Sequence, residues 1–216
     1  MTEKKLNPGA AMWDERFSKA DPIYGEKPNA YLAEKAAQWK PGCSVLIPGD
    51  GYGRNGIWLA RQGFQVRTVD ISPVGVERAR SAARDAGVSI SIEEGNLATW
   101  DWPMGEFDAA AAIFVHLPPD IRAGAHSNMI RALKPGGLLI FEAFTPGQLR
   151  FTSGGPKEEA LLYTAEMLRR DFAGAEALEL EEKEIELDEG WRHSGPAAVV
   201  RGVFQKREKT NVQGNY

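Results

Sequence analysis

Across residues 45 to 141, short apolar runs and amphipathic helical stretches take strict turns, and that alternation leaves few folds open. Val45-Leu46-Ile47 is apolar throughout and bounded by turn signals, so it reads as a buried strand. Glycines 49, 51 and 53 follow, and Ile57, Ala60 and Phe64 then mark a helix. A second strand ends at Val69-Asp70. Ser72-Pro73 starts the next helix with proline at its first position, and Ala86-Gly87 stops it. Ile90 and Ile92 alternate with serines, as in a half-exposed strand. Residues 109–115 form a fourth strand, apolar on both faces. Pro118-Pro119-Asp120 opens a helix whose inward stripe is Ile121, Ala125, Met129 and Leu133, and Pro135-Gly136-Gly137 turns the chain into a fifth strand at 138–141. Strand and helix in alternation build a mostly parallel sheet with right-handed crossovers.

The flanks break the rhythm. Trp13, Phe17 and Ala20 fall at helical spacing before Asp21-Pro22; Leu32, Ala36 and Trp39 mark a second helix closed by Pro41-Gly42. After Phe144, a loop at 145–160 rich in Gly, Thr and Ser precedes a helix through Leu161, Ala165, Leu168 and Phe172. Strands near 176–187 and 196–205 are joined by Asp188-Glu189-Gly190, a link short enough for an antiparallel pair. The expected fold is α/β, a doubly wound, mostly parallel seven-stranded sheet with an antiparallel strand at one end and N-terminal helices added. The 216 residues suit one domain, 1–216, with flexible tails at about 1–11 and 207–216.

Composition narrows the partners. The net charge of −4 argues against wrapping nucleic acid. Glu179, Glu181, Glu182, Glu184 and Glu186 read as the wet face of an edge strand, which discourages edge-to-edge pairing. Cys43 is the single cysteine, so an internal disulfide and a thiolate-rich metal cluster are both excluded, and a cytoplasmic location fits best. No stretch is apolar enough to span a bilayer, so no membrane is expected. The three histidines stand far apart, and no metal is expected. Oligomeric state leaves no mark in the sequence.

Gly49-Asp50-Gly51-Tyr52-Gly53-Arg54-Asn55 lies between a strand and a helix, the setting in which a glycine loop has meaning. Bare backbone lets a ligand approach closely, and the helix behind it offers free N–H groups. Asp70, at the tip of the adjacent strand, suits the two hydroxyls of an adenosine ribose. A glycine turn that only packs helix on strand is the structural alternative. The spacing also meets the dinucleotide fingerprint, so a nicotinamide-dependent oxidoreductase stays open.

The glycine loop, Val69-Asp70 and Leu133-Lys134-Pro135-Gly136-Gly137-Leu138 together resemble the class I S-adenosylmethionine-dependent methyltransferases. Trp13-Asp14-Glu15-Arg16-Phe17, Tyr24-Gly25, Pro28-Asn29, the block from Ile113 to Pro118, the block from Thr152 to Lys157, and Leu187-Asp188-Glu189-Gly190 with His193 and Gly195 resemble the tellurite-resistance and thiopurine methyltransferase branch. The resemblance implies S-adenosyl-L-methionine as cofactor and in-line methyl transfer to a small-molecule acceptor, with soft thiol, selenium or tellurium nucleophiles as the branch-level analogy. It departs at Ile47, where the superfamily usually has an acid; Asp50 is a candidate for part of that role. The departure also keeps open a non-catalytic module that only binds the cofactor.

By that resemblance the cofactor-binding candidates are Gly49, Asp50, Gly51, Gly53, Asn55, Asp70, Ile71, Asn96, Leu97 and Phe114, with Trp13 and Tyr24 as a lid. Ile71 and Leu97 would sandwich the adenine, and both are equally readable as core aliphatics. Asn96 stands where relatives often carry an acid for the adenine amine. His193 and His116 are the catalytic candidates, since imidazole can take a proton near neutral pH; His126 is expected to be solvated. The loop at 151–157, with Phe144, Phe151 and Trp191, is expected to border a partly apolar acceptor pocket.

Overall fold

β1 (Ser44–Pro48) is parallel to β2 (Gln65–Asp70) on one side and to β4 (Phe107–Ile113) on the other, so the strand order reverses there. In the computed structural model, which describes residues 8–19 and 21–208, the sheet has seven strands in the order β3-β2-β1-β4-β5-β7-β6. β3 is Ser91–Glu94 and β5 is Leu133–Phe144; both pair in parallel with their neighbours β2 and β4. β7 (Ser194–Lys206) runs antiparallel between β5 and β6 (Ala175–Asp188). This is the expected doubly wound sheet with its antiparallel end. In such sheets ligands bind beyond the strand tips at the reversal, here between β1 and β4.

Two cores sandwich the sheet. One collects Met129 of α5 (Pro119–Ala132), Leu168 of α6 (Ala165–Asp171), and Tyr163, Phe141, Phe172 and Phe204. The other collects Tyr31 and Leu32 of α2 (Ala30–Ala36), Leu59 of α3 (Arg54–Arg61), Ile47 and Ile140. Burying each such side chain stabilises by roughly 1.5–3 kcal/mol. α4 (Pro73–Asp85) starts at Ser72, whose hydroxyl accepts from the Gly75 amide at 3.0 Å. The same Ser72 side chain bonds Asp14 of α1 (Pro8–Phe17). Arg78 of α4 holds the C-terminal end of α1, donating to the carbonyls of Phe17 and Lys19, both at 2.6 Å. α1 is thereby clamped across the start of α4.

Several boundaries differ from the sequence reading. α1 begins at Pro8 and ends at Phe17, so residues 8–11 are helical rather than a loose tail, and Ala10 is buried. Residues 1–7, Ala20 and 209–216 lie outside the described residues, and with them most of the expected tails. Lys134-Pro135-Gly136-Gly137 is no connection before a strand but a bulge inside β5. Leu133 pairs with Phe107 and Leu138 with Ala109, and the residues between loop out around Gly136 at φ +76°. The helix expected from Leu161 starts only at Ala165, where the Thr164 hydroxyl accepts from the Met167 amide; Leu161 ends a short 3₁₀ turn instead. Among the described residues, no helix is long and apolar enough to cross a membrane.

Candidate active site

The glycine loop takes up the left-handed backbone that side chains disfavour: φ is +70° at Gly49, +60° at Gly51 and +88° at Gly53. A Cβ on Gly51 would stand 2.7 Å from the Phe17 ring, and one on Gly49 2.8 Å from Val115. The loop is pinned to the next strand, because the Gly51 amide donates to Asp70 Oδ2 at 2.8 Å and the Gly49 amide to the Val69 carbonyl at 2.7 Å. Asp70 Oδ1 accepts from the Ser72 amide at 2.9 Å.

A cavity of about 310 Å³ opens in front of this loop. It is lined by Gly49, Asp50, Gly51 and Asn55 of the loop and α3, by Trp13, Phe17 and Tyr24 from the N-terminal segment, and by Phe114, His116, Phe144, His193 and the segment 154–158. Phe114 is the one non-glycine with positive φ (+53°) among the described residues, at the end of β4. That strained turn stacks its ring on Phe144 at 4.5 Å and sets it edge-on to His193 at 4.6 Å. Tyr24 closes the other side of His193, with ring centroids 4.6 Å apart. Tyr24 is held in turn by Tyr52, whose hydroxyl accepts from the Tyr24 amide at 3.0 Å and donates to the Gly25 carbonyl at 2.9 Å.

The two catalytic candidates differ. His116 uses both ring nitrogens: Nδ1 meets the Leu161 carbonyl at 2.6 Å, and Nε2 accepts from the Phe144 amide at 3.3 Å. Burial pushes it down to about 4. With both nitrogens engaged, it is a neutral strut of the cavity wall. His193 is buried with Nδ1 unpartnered. Burial first, and then the Arg54 charge, push it down to about 3, so it is neutral and a weak base. Beside it Arg192 also lines the cavity, and its buried Nε has no partner.

Asp50 is tucked beneath the first turn of α3. Its Oδ2 accepts from the Gly56 amide at 3.0 Å, while the buried Oδ1 has no partner. Desolvation pushes this carboxyl up to about 7. Ile47 is part of the core.

Of the sequence-chosen residues, Trp13, Tyr24, Gly49, Asp50, Gly51, Asn55, Phe114, His116 and His193 line one cavity. Gly53, Asp70, Ile71, Asn96 and Leu97 do not. Gly53 serves helix packing, since a Cβ there would meet Ala79 at 2.9 Å. Asp70 is 8% exposed and reaches the cavity through Gly51. Leu97, 7% exposed, belongs to the core with Trp102, whose indole donates to its carbonyl. Asn96 Oδ1 accepts from the Ala98 amide at 3.0 Å, committing one lone pair to its own turn. His126, expected in solvent, is 0% exposed: it bonds Asp171 at 2.8 Å and stacks on Phe172. Trp191 is exposed, and neither it nor Phe151 lines the cavity. Sequence reasoning missed Arg192, Arg16 and Lys157, which also line it. Their signal was position alone, each within a block already singled out.

These residues fit a sulfonium nucleoside: a positive-φ glycine loop that brings bare backbone to the cavity, and a carboxylate at the neighbouring strand tip. Among the described residues, no cluster of three or more His, Cys, Asp or Glu is placed to hold a metal.

Residues 45–137 match the methyltransferase domain family. The chain spans 38% of the length of matched uncharacterized proteins of Mycobacterium tuberculosis and Mycobacterium bovis, 30% identical over 105 residues. An Arabidopsis thaliana protein named Probable thiol methyltransferase 2 is 29% identical over 85% of this chain and 76% of its own. In fold, the chain resembles a structure concerned with converting a disulfide bond into a thioacetal group during echinomycin biosynthesis (TM-score 0.76, 20% identity, 94% of this chain and 93% of that one). TehB from Haemophilus influenzae superposes with TM-score 0.67 at 17% identity, over 92% of this chain and 67% of its own.

Proposed function

We propose that this chain, which carries the domain and fold of the class I S-adenosylmethionine-dependent methyltransferases, moves a methyl group onto a small, soft, anionic nucleophile. The cofactor is S-adenosyl-L-methionine, which supplies an already activated methyl group. The protein's own work is then to bind, orient and keep water out.

The observation that carries the acceptor class is the pairing of two neutral imidazoles with an arginine, Arg192, whose buried Nε has no hydrogen-bond partner, in one aromatic wall. His193 and His116, at about 3 and about 4, are poor proton acceptors at neutral pH. An alcohol gets no help there, whereas a thiol, with an ordinary pKa near 8.5, brings a useful thiolate fraction of its own. Arg192, Arg16 and Lys157 favour an anion over an ammonium substrate. Phe114, Phe144 and Tyr24 give the reacting atom an apolar, water-poor surface. His193 then acts as a neutral hydrogen-bonding group toward the acceptor, and the glycine loop, with Asp70 behind it, holds the cofactor.

The sulfur chemistry in the names of the plant relative and the echinomycin-related structure supports the same reading. The test is turnover with isotope-labelled S-adenosylmethionine against thiols, selenols, tellurite, phenols and amines. Labelled methyl is expected on the chalcogen acceptors. Transfer to amines or phenols alone contradicts the acceptor class, and tight cofactor binding with no transfer to any acceptor favours a binding module.

A further inference from the structure

We infer that Glu189 is a positioning residue that fixes the wall carrying Arg192 and His193 against the first turn of α3. The inference rests on the methyl-transfer reading and assigns the β6–β7 turn a part in it.

Glu189 is 7% exposed, and both carboxylate oxygens are engaged. Oε2 accepts from Arg54 Nη2 at 2.6 Å. Oε1 accepts from Asn29 Nδ2 at 2.8 Å and from the Ala30 amide at 3.2 Å. Asn29 also donates through Nδ2 to Glu142, which pairs with Arg201 at 2.6 Å, and through its backbone amide to Asn55 at 2.9 Å. One carboxylate thus joins the β6–β7 turn, the start of α2 and the start of α3. The turn itself is rigid. The Glu189 amide donates to the His193 carbonyl at 2.8 Å, the His193 amide to the Gly190 carbonyl at 3.0 Å, and the Arg192 amide to the Ile23 carbonyl at 3.1 Å. A Cβ on Gly190 would lie 2.3 Å from the Gly25 nitrogen, so the turn and the 23–30 segment interlock.

Arg54, Asn55, Arg192 and His193 all line the cavity; on the methyl-transfer reading the first two, at the start of α3 behind the glycine loop, belong to the donor side and the last two to the acceptor side. In-line displacement is steep in the distance between reacting atoms, and a shift of about 1 Å can cost about a hundredfold in rate. A buried, doubly engaged carboxylate bridging the two sides is placed to set that distance. On the same reading, cofactor affinity rests mostly on the glycine loop and Asp70, which Glu189 does not touch.

Glu189→Gln keeps the bonds at Oε1 and turns an amide N–H₂ toward Arg54; Glu189→Asp keeps the charge but shortens the reach, and serves if the glutamine variant fails to fold. With only three histidines in the chain, imidazole NMR signals report the turn directly. We expect the His193 signals to shift or broaden while those of His126 stay put. We further expect kcat for a thiol acceptor to fall by about tenfold or more, with S-adenosylhomocysteine affinity within about threefold of wild type. Met129→Ala, a core substitution distant in role, controls for lost stability and should keep kcat. Unmoved His193 signals, an unchanged kcat, or kcat and affinity falling together, each overturn the inference. A wild-type chain that transfers no methyl sinks the methyl-transfer reading instead, while the His193 signals still report whether Glu189 holds the turn.

Discussion

The amide of Gly51 donates to the carboxylate of Asp70 at 2.8 Å, so the glycine loop and the tip of β2 are one unit. Asp70 also satisfies two backbone N–H groups, those of Gly51 and Ser72. Asp70→Ala is therefore expected to weaken S-adenosylmethionine binding by about 1.5–3 kcal/mol and to lower the melting temperature as well. Asp70→Asn keeps an acceptor and should recover part of the stability but little of the affinity. Calorimetric titration reads the first effect and thermal unfolding the second; unchanged affinity in both variants contradicts the placement of the ribose.

Phe17 lies on two glycines. A Cβ at Gly51 meets its ring at 2.7 Å and one at Gly75 meets it at 2.8 Å, and Gly51 also has positive φ. Gly51→Ala should destabilise by about 1–3 kcal/mol through crowding and backbone strain. Adding Phe17→Ala should relieve the crowding but not the strain, so the double variant should be more stable than the sum of the two singles. Strict additivity in denaturant unfolding would show that the ring does not sit on the loop.

Asp50 and the histidines have opposite pH signatures. The folded-state pKa of Asp50 is raised to about 7, so the stability tied to its protonation is complete below its unfolded value of 3.8 and is lost as pH rises through 7. His193 and His116 are depressed to about 3 and about 4, so their contribution is complete above 6.5 and is lost as pH falls through those values. The difference between wild type and Asp50→Asn isolates the carboxyl. Asn still accepts from Gly56, and its N–H₂ replaces the unpartnered oxygen. Between about pH 5 and about pH 8 the variant should gain about 2–3 kcal/mol relative to wild type. A pH-independent difference would mean that Asp50 is not held in a desolvated site.

The pH dependence of turnover follows from the same histidines. With both imidazoles neutral throughout the working range, the rate should track ionisation of the acceptor. The inflection should then move from one thiol to another with the thiol's own pKa. A fixed inflection near 6.5 for all acceptors, removed by His193→Gln, would make His193 a general base after all.

The order of strands and helices was readable because apolar period and turn residues agree along residues 45–141, and glycines at 49, 51 and 53 announced the loop. What escaped depended on contacts distant in sequence. Lys134-Pro135-Gly136-Gly137 carries turn residues yet stays within β5, because its ends pair with Phe107 and Ala109. His126 is polar on a helix, but Asp171, 45 residues away, gives it a partner inside the core. Leu161 kept the helical spacing of α6 but lies before its Thr164 cap. Glu189 read as a turn residue, and only the fold brings Arg54 and Asn29 to it.

Calorimetric titration of the chain with S-adenosylmethionine, S-adenosylhomocysteine and NAD is the most direct measurement. Saturable one-to-one binding of both sulfur nucleosides, weakened in Asp70→Ala, with no response to NAD, is the expected result. Tight NAD binding with silence toward the sulfur nucleosides would contradict the methyltransferase site at the tips of β1, β2 and β4.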